Sequence, residues 1–380
     1  MQAAAESPAA AVRRSLTDLL RAPDGVAALP ARDLDLTLRL ARRVRLLGRL
    51  AERLQRRGLL AALPPAAREQ LESALVVVDA RARAARWELD RLLRALRSRR
   101  EMRVVALKGS AYLLAGLPNA AGRVFADVDL LFAEAELAEA ESLLVAHGWR
   151  GTKLSAYDQH YYRAWTHELP PLVHDEREVE ADLHHNIVPR MGRLKPSGAL
   201  LLARARPIPG TLFERLADPD LVLHAMTHLM FDSEMADALR DLVDIDDLLR
   251  HFSAADPEFW DALWARAEEL DLARPAFYAL RYAHALLGTP VPATVLRRSQ
   301  RGAPVRAVVW IMDRLVPRAL FPPHPDAPSR VAAIARFWLY VRSLWIRMPP
   351  LLLVRHLGYK FYVRRIRGAR PIAAETRVAN

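Results

Sequence analysis

The chain has no cysteine in its 380 residues, which removes disulfides, zinc-thiolate sites and cysteine nucleophiles together and fits a reducing interior. It also lacks an apolar run of the roughly 20 residues that a membrane-spanning helix needs. Its first residues, Met1-Gln2-Ala3-Ala4-Ala5-Glu6-Ser7-Pro8, lack the basic-then-apolar order of a signal peptide, so a cytoplasmic protein is expected. Hydrophobic residues, by contrast, are plentiful at 52%, which excludes disorder as the main state and supplies cores for two or three structural units. The net charge is +12, carried mostly by Arg. A compositional bias toward Ala, Leu and Arg explains part of it without any ligand. The functional reading is an affinity for polyanions: nucleotide, nucleic acid or anionic lipid.

The chemistry concentrates between Val104 and Phe132. Val104 to Leu107 form a short apolar run suited to a buried strand, Lys108-Gly109-Ser110 breaks it, and Ala111 to Ala115 are helix-compatible. Such a turn holds phosphate: Gly109 permits close backbone approach, Ser110 offers a hydroxyl, and the helix start presents N–H groups and a positive dipole end. Asp127-Val128-Asp129 then precedes Leu130-Leu131-Phe132. Residues two apart on a strand point the same way, so the two carboxylates converge. Converging carboxylates suit Mg²⁺, an ion usually held by one or two carboxylates together with substrate phosphates.

These residues carry a family resemblance. Leu107-Lys108-Gly109-Ser110, Arg123, Asp127-Val128-Asp129-Leu130-Leu131 and Gly148-Trp149 resemble the nucleotidyltransferase superfamily with the DNA polymerase beta-like core. More narrowly they resemble a bacterial branch described as uncharacterised nucleotidyltransferases, over about residues 100 to 190 and more loosely to 250. The resemblance implies an α+β fold, with a small mixed-sheet polymerase beta-like core flanked by helical regions. It implies a third carboxylate on a neighbouring strand. Asp182 is chosen, because Asp182-Leu183-His184 follows Pro170-Pro171 as in this branch, with Glu180 as the alternative and an exposed strand of alternating charge as the plain one.

The implied activity moves a nucleoside monophosphate from a nucleoside triphosphate to a hydroxyl or amine and releases pyrophosphate. Two Mg²⁺ ions on Asp127, Asp129 and Asp182 would clamp the triphosphate, with Gly109 and Ser110 at its β/γ end. Lys108 or Arg123 would offset leaving-group charge; otherwise Lys108 faces solvent and Arg123 pins the loop through a carbonyl or carboxylate. The acceptor is open: a small molecule, peptide, sugar or RNA end, with no sequence-reading DNA module. The alternatives are a toxin-like adenylylating enzyme and a degenerate transferase serving as a binding scaffold, with a membrane-peripheral location open to it through the basic aromatic tail.

The expected organisation is an N-terminal helical region over 1–98, the core over 99–190, a helical domain over 191–330 and a basic aromatic tail over 331–380. Within the first, Pro64-Pro65 separates two helices, and Arg81, Arg83, Arg86, Arg91, Arg94, Arg97, Arg99 and Arg100 give the second a solvated basic face. In the core, Glu134 to His147 read as a helix stopped by Gly148, and Trp149 to Tyr157 and His160 to His167 as strands. Met191 to Leu287 read as helical throughout. His224 and His228 have one-turn spacing, but Ala225 stands where a zinc protease needs Glu, so they read as packing or supporting contacts; Asp232 and Glu234 follow them. Asp241 to Leu249 read as a core helix with a solvated acidic face. In 332–370, Trp, Tyr and Leu interleave with Arg, which suits either a peripheral membrane contact or helices packed on their own domain under Arg stems.

Overall fold

The structure is a computed structural model that describes residues 8–98, 102–125, 127–152, 155–231, 235, 238–322 and 330–365. Four helices come first: α1 Pro8–Arg21, α2 Ala31–Arg43, α3 Leu47–Arg56 and the long α4 Pro65–Leu96. Pro65 opens α4, where a missing N–H costs nothing. The Arg residues of its second half at 81, 83, 86, 91 and 94 are exposed, while Leu89, Leu92 and Leu96 are buried. Arg99 and Arg100 lie outside the described residues.

A mixed α+β unit follows: β1 Val105–Ala106, α5 Lys108–Leu114, β2 Asp127–Leu131, α6 Leu137–Ala146, β3 Trp149–Gly151, α7 Ala156–Trp165, β4 Leu172–His174 and β5 Glu180–His184. Gly148, at φ +92°, ends α6 as expected. Then come α8 Gly198–Ala203, β6 Arg206–Pro207, β7 Glu214–Arg215, α9 Asp218–Phe231, α10 Ala238–Ala255, α11 Phe259–Glu269, α12 Ala273–Tyr282, α13 Ala293–Ser299, α14 Arg306–Ala319, α15 Arg330–Arg347 and α16 Pro350–Arg365. The strands form one seven-stranded sheet in the order β3-β4-β5-β2-β1-β7-β6. β2 runs parallel to β5, and β1 parallel to β7; the other pairs are antiparallel. Buried apolar residues from Val12 to Leu339 form one contiguous cluster, so the N-terminal helices, the sheet and the later helices share a core. No helix among the described residues is long and apolar enough to cross a membrane.

Three expectations fail here. The strand expected over Trp149 to Tyr157 is only Trp149–Gly151, and His160 to His167 do not form a strand, because Ala156–Trp165 is helix α7. Ser155 caps it, accepting from Asp158 N–H at 3.1 Å, and Tyr157, Tyr161 and Trp165 recur at four-residue steps on one face. Residues 191–287 are not helical throughout either: β6 and β7 form a hairpin at the sheet edge, closed through Gly210 at φ +75°.

Candidate functional site

The register of β2 and β5 builds the site. Asp127 lies beside Glu180, Asp129 beside Asp182 and Leu131 beside His184. Paired residues of parallel strands share a face, so two acids from each strand and one His gather on one side of the sheet. Asp127 stands at the exposed start of β2, whereas Asp129 is buried. β1 carries the chain to the same place: Leu107 N–H donates to the Asp129 carbonyl at 3.0 Å, and α5 begins at Lys108. Lys108 adopts φ +42°, an uncommon value for a residue with a side chain.

From there Lys108 Nζ donates to Asp129 Oδ1 at 2.8 Å. His184 Nε2 lies 3.1 Å from the same oxygen. Burial acts to raise the Asp129 carboxyl, but the Lys108 charge and the His184 hydrogen bond outweigh it and hold the group well below the usual carboxylate range. The same carboxylates hold the Lys108 ammonium above its ordinary value against the effect of burial. Asp182 is pushed the other way. Burial raises it well above the usual range, and Glu168, Asp129, Glu180 and Asp127 add repulsion.

A divalent cation fits this arrangement. Asp129, Asp182 and His184 each offer a ligand atom, all within 4.8 Å of one another. Asp182 Oδ1 is buried with no hydrogen-bond partner among the described residues, and a buried carboxylate oxygen among other carboxylates is stabilised by either a proton or a cation.

Gly109 and Ser110 occupy the first turn of α5. The N-cap residue Leu107 has no side-chain acceptor for that turn. A Cβ on Gly109 would lie 3.3 Å from both Arg123 Nε and Phe125 Cδ1, so the turn is packed from behind. Arg123 itself is outside the carboxylate cluster. Its guanidinium donates to Asp244 and lies 5.6 Å from the centroid of the Tyr112 ring. Burial lowers its pKa to about 10.

The acidic run on α10 is not a solvated face. Asp241, Asp244 and Asp246 are buried together with Leu242, Ile245, Leu248 and Leu249. Arg49 binds Asp244 and Asp247, Arg53 Nη2 reaches Asp247 Oδ1 at 2.8 Å, and Thr289 Oγ1 donates to Asp246 Oδ1 at 2.6 Å. Cationic side chains from α3 and from the loop before β2 thus bring the acids into the interior. His228 Nδ1 lies 3.1 Å from Asp241 Oδ2, and His224 is buried, which agrees with packing and supporting roles; Asp232 and Glu234 lie outside the described residues. His167 and Glu168, which the sequence reading passed over, also reach the site, because Glu168 bridges His184 across β5.

A family model described as uncharacterised nucleotidyltransferase matches residues 30–288, more than half of the chain. No curated protein and no solved structure matches.

Proposed function

The chain belongs to the uncharacterised nucleotidyltransferase family, and from that premise we propose that it transfers a nucleoside monophosphate from a nucleoside triphosphate to a hydroxyl or amine, releasing pyrophosphate. The observation that carries this reading is the in-register pair Asp129 and Asp182, with a buried Asp182 oxygen that lacks a partner among the described residues. It also favours the polymerase beta-like arrangement, in which acids of two neighbouring strands form one cation site.

Asp127, Asp129 and Asp182 are the residues assigned to hold Mg²⁺, which when bound neutralises triphosphate oxygens and makes the α-phosphorus more electrophilic. Two ions suit three carboxylates. The bond between the α-phosphorus and the bridging oxygen to the β-phosphate breaks as the acceptor oxygen or nitrogen bonds to that phosphorus, and pyrophosphate departs with the electron pair. Asp182 is the residue assigned to take the acceptor proton.

Lys108, with a side chain 23% exposed, reaches both Asp129 and solvent and supplies positive charge toward the leaving pyrophosphate. Gly109 and Ser110 receive the β/γ end on the uncapped first turn of α5. Arg123 acts as a positioning residue, because it backs Gly109 and is tied to α10 through Asp244.

The test is pyrophosphate release from each nucleoside triphosphate, with Mg²⁺ and a desalted extract of the host as the acceptor source. Asp127→Asn, Asp129→Asn and Asp182→Asn are expected to lower the rate by about 10²-fold or more each. Equal release by the wild type and all three variants would sink the assignment, and no release above background by the wild type would favour a binding scaffold.

A further inference from the structure

The segment before Pro170 continues the sheet beside β5. Glu168 bridges His184, the His185 N–H donates to the His167 carbonyl at 2.9 Å, and the Leu169 N–H donates to the Leu183 carbonyl at 2.9 Å. This register sets three donors together: ligand atoms of His167, Glu168 and His184 all lie within 4.8 Å of one another. The two imidazole centroids are 5.3 Å apart.

The nitrogens are placed for a cation. Nδ1 of His184 is buried with no hydrogen-bond partner among the described residues, the His184 side chain is only 2% exposed, and His167 Nε2 lies 3.8 Å from Glu168 Oε2. In the tautomer whose Nε2–H donates to Asp129 Oδ1, 3.1 Å away, His184 presents a lone pair on Nδ1. That lone pair lies 3.4 Å from Glu168 Oε2, an acceptor facing an acceptor, and a cation between them turns the repulsion into coordination. A carboxylate behind a ligating imidazole is also the usual way of fixing its tautomer.

We propose that His167, Glu168 and His184 form a site for one transition-metal dication of the Zn²⁺ or Mn²⁺ class. Imidazole donors suit such ions, whereas Mg²⁺ prefers oxygen alone. Bonds of about 2.0–2.1 Å bring ligand atoms to about 3.4 Å from each other, and His184 Nδ1 and Glu168 Oε2 are already 3.4 Å apart. Three protein donors leave a position open for water or substrate.

The full chain, stripped of metal, is titrated with Zn²⁺ and with Mn²⁺ by calorimetry, and with Co²⁺ by visible absorption. One ion per chain is expected, bound at least about tenfold more weakly in His167→Ala and in the isosteric Glu168→Gln, and retained at millimolar Mg²⁺. Asp127→Asn keeps the site, which separates this proposal from the transferase reading. Absence of binding, binding unchanged in both variants, or full competition by Mg²⁺ overturns it.

A different observation concerns α15. Ala332, Ala335, Leu339 and Ser343 face the core, and Val331, Ile334, Trp338, Val341 and Trp345, at three- and four-residue steps, are exposed. The helix is docked by Arg342 and Arg347, which donate to the carbonyls of Met230 and Phe231. No acidic residue occurs in α15 or α16, and the one acid of α14, Asp313, pairs with Arg281. Arg306, Arg314 and Arg318 on α14, which packs against α15, are exposed, as are Arg330 on α15 and Arg355 on α16.

We infer that this face rests on an anionic lipid surface, where the apolar stripe and Trp rings enter the interface and the Arg side chains meet phosphate. A second copy is a poor occupant, since a twofold pairing sets Arg against Arg. Sedimentation of the full chain with neutral and with phosphatidylglycerol-containing vesicles is expected to show salt-sensitive binding to the anionic ones, reduced at least about tenfold in Ile334→Glu/Trp338→Glu. Equal partition to both vesicles, no binding, or concentration-dependent self-association lost in that variant overturns it.

Discussion

Replacing Asp244 with Ala removes one carboxylate from between two buried guanidiniums. Arg49 Nη2 donates to Asp244 Oδ1 at 3.1 Å, and Arg123 donates to the other oxygen. The side chains of Arg49, Arg123 and Asp244 are 3%, 10% and 4% exposed. After the substitution Arg49 keeps Asp247 and the carbonyls of Pro118 and Asn119, whereas Arg123 keeps the face of Tyr112. Removing one partner of a buried pair costs about 3–5 kcal/mol. An unfolding entropy of about 2.1 cal/mol/K per residue gives about 0.8 kcal/mol/K for a chain of this length, so the melting temperature should fall by about 4–6 °C. Scanning calorimetry reads this directly. The double variant Arg123→Met/Asp244→Leu, which removes the charges of that pair together, should recover at least about half of the loss. If Asp244→Ala melts within about 1 °C of the wild type, the buried network does not hold α10 to the core and the reasoning fails.

Other outcomes follow from local geometry. Gly122 and Gly116 both have positive φ, at +71° and +63°, but a Cβ on Gly122 would lie 2.6 Å from Arg49 Cα, while one on Gly116 meets nothing within 4 Å. Gly116→Ala is therefore expected to cost about 1–2 kcal/mol for the backbone alone, and Gly122→Ala about 1–3 kcal/mol more; equal urea midpoints would contradict this. Burial acts to raise the Asp241 carboxyl, yet the His228 hydrogen bond and the charges of Arg240 and Arg123 hold it well below its ordinary value. Its contribution to stability is thus full above the unfolded value of about 3.9 and is lost as pH falls toward the folded one. The stability difference between the wild type and Asp241→Asn should shrink as pH drops below about 4, and a constant difference in acid denaturation would refute it. Gly109→Ala pushes a Cβ to 3.3 Å from Arg123 Nε and Phe125 Cδ1, so nucleotide affinity should fall several-fold with the melting temperature nearly unchanged; the opposite pattern would deny the turn a role in binding.

How much of this was legible in the sequence depended on the range of the forces involved. The Asp127 and Asp129 alternation and the Glu180, Asp182 and His184 alternation are local patterns of period two, and both strands are where the patterns put them. The break after Leu107 was likewise marked by Lys108, Gly109 and Ser110, although these residues form the first turn of α5 rather than a separate turn before it. Helix α7 was misread because Tyr157, Tyr161 and Trp165 suggest strand by type, while their spacing and the Ser155 cap specify helix. β6 and β7 have two residues each, too few for any alternation to register. The burial of the α10 acids could not be seen locally, since Asp244 meets an Arg 195 residues away. His167 and Glu168 escaped notice because Pro170-Pro171 interrupts the pattern that would have linked them to β5.

The central claim is transfer of a nucleotidyl group with Asp129 as an essential carboxylate. It is tested most directly by incubating the protein with Mg²⁺, a desalted host extract and nucleoside triphosphates labelled in parallel at the α- or the γ-phosphate, alongside folded Asp129→Asn. The account predicts a new product that carries the α label but not the γ label, made only by the unaltered protein. A product carrying the γ label, an undiminished product with Asp129→Asn, or no labelled product from any triphosphate would contradict it.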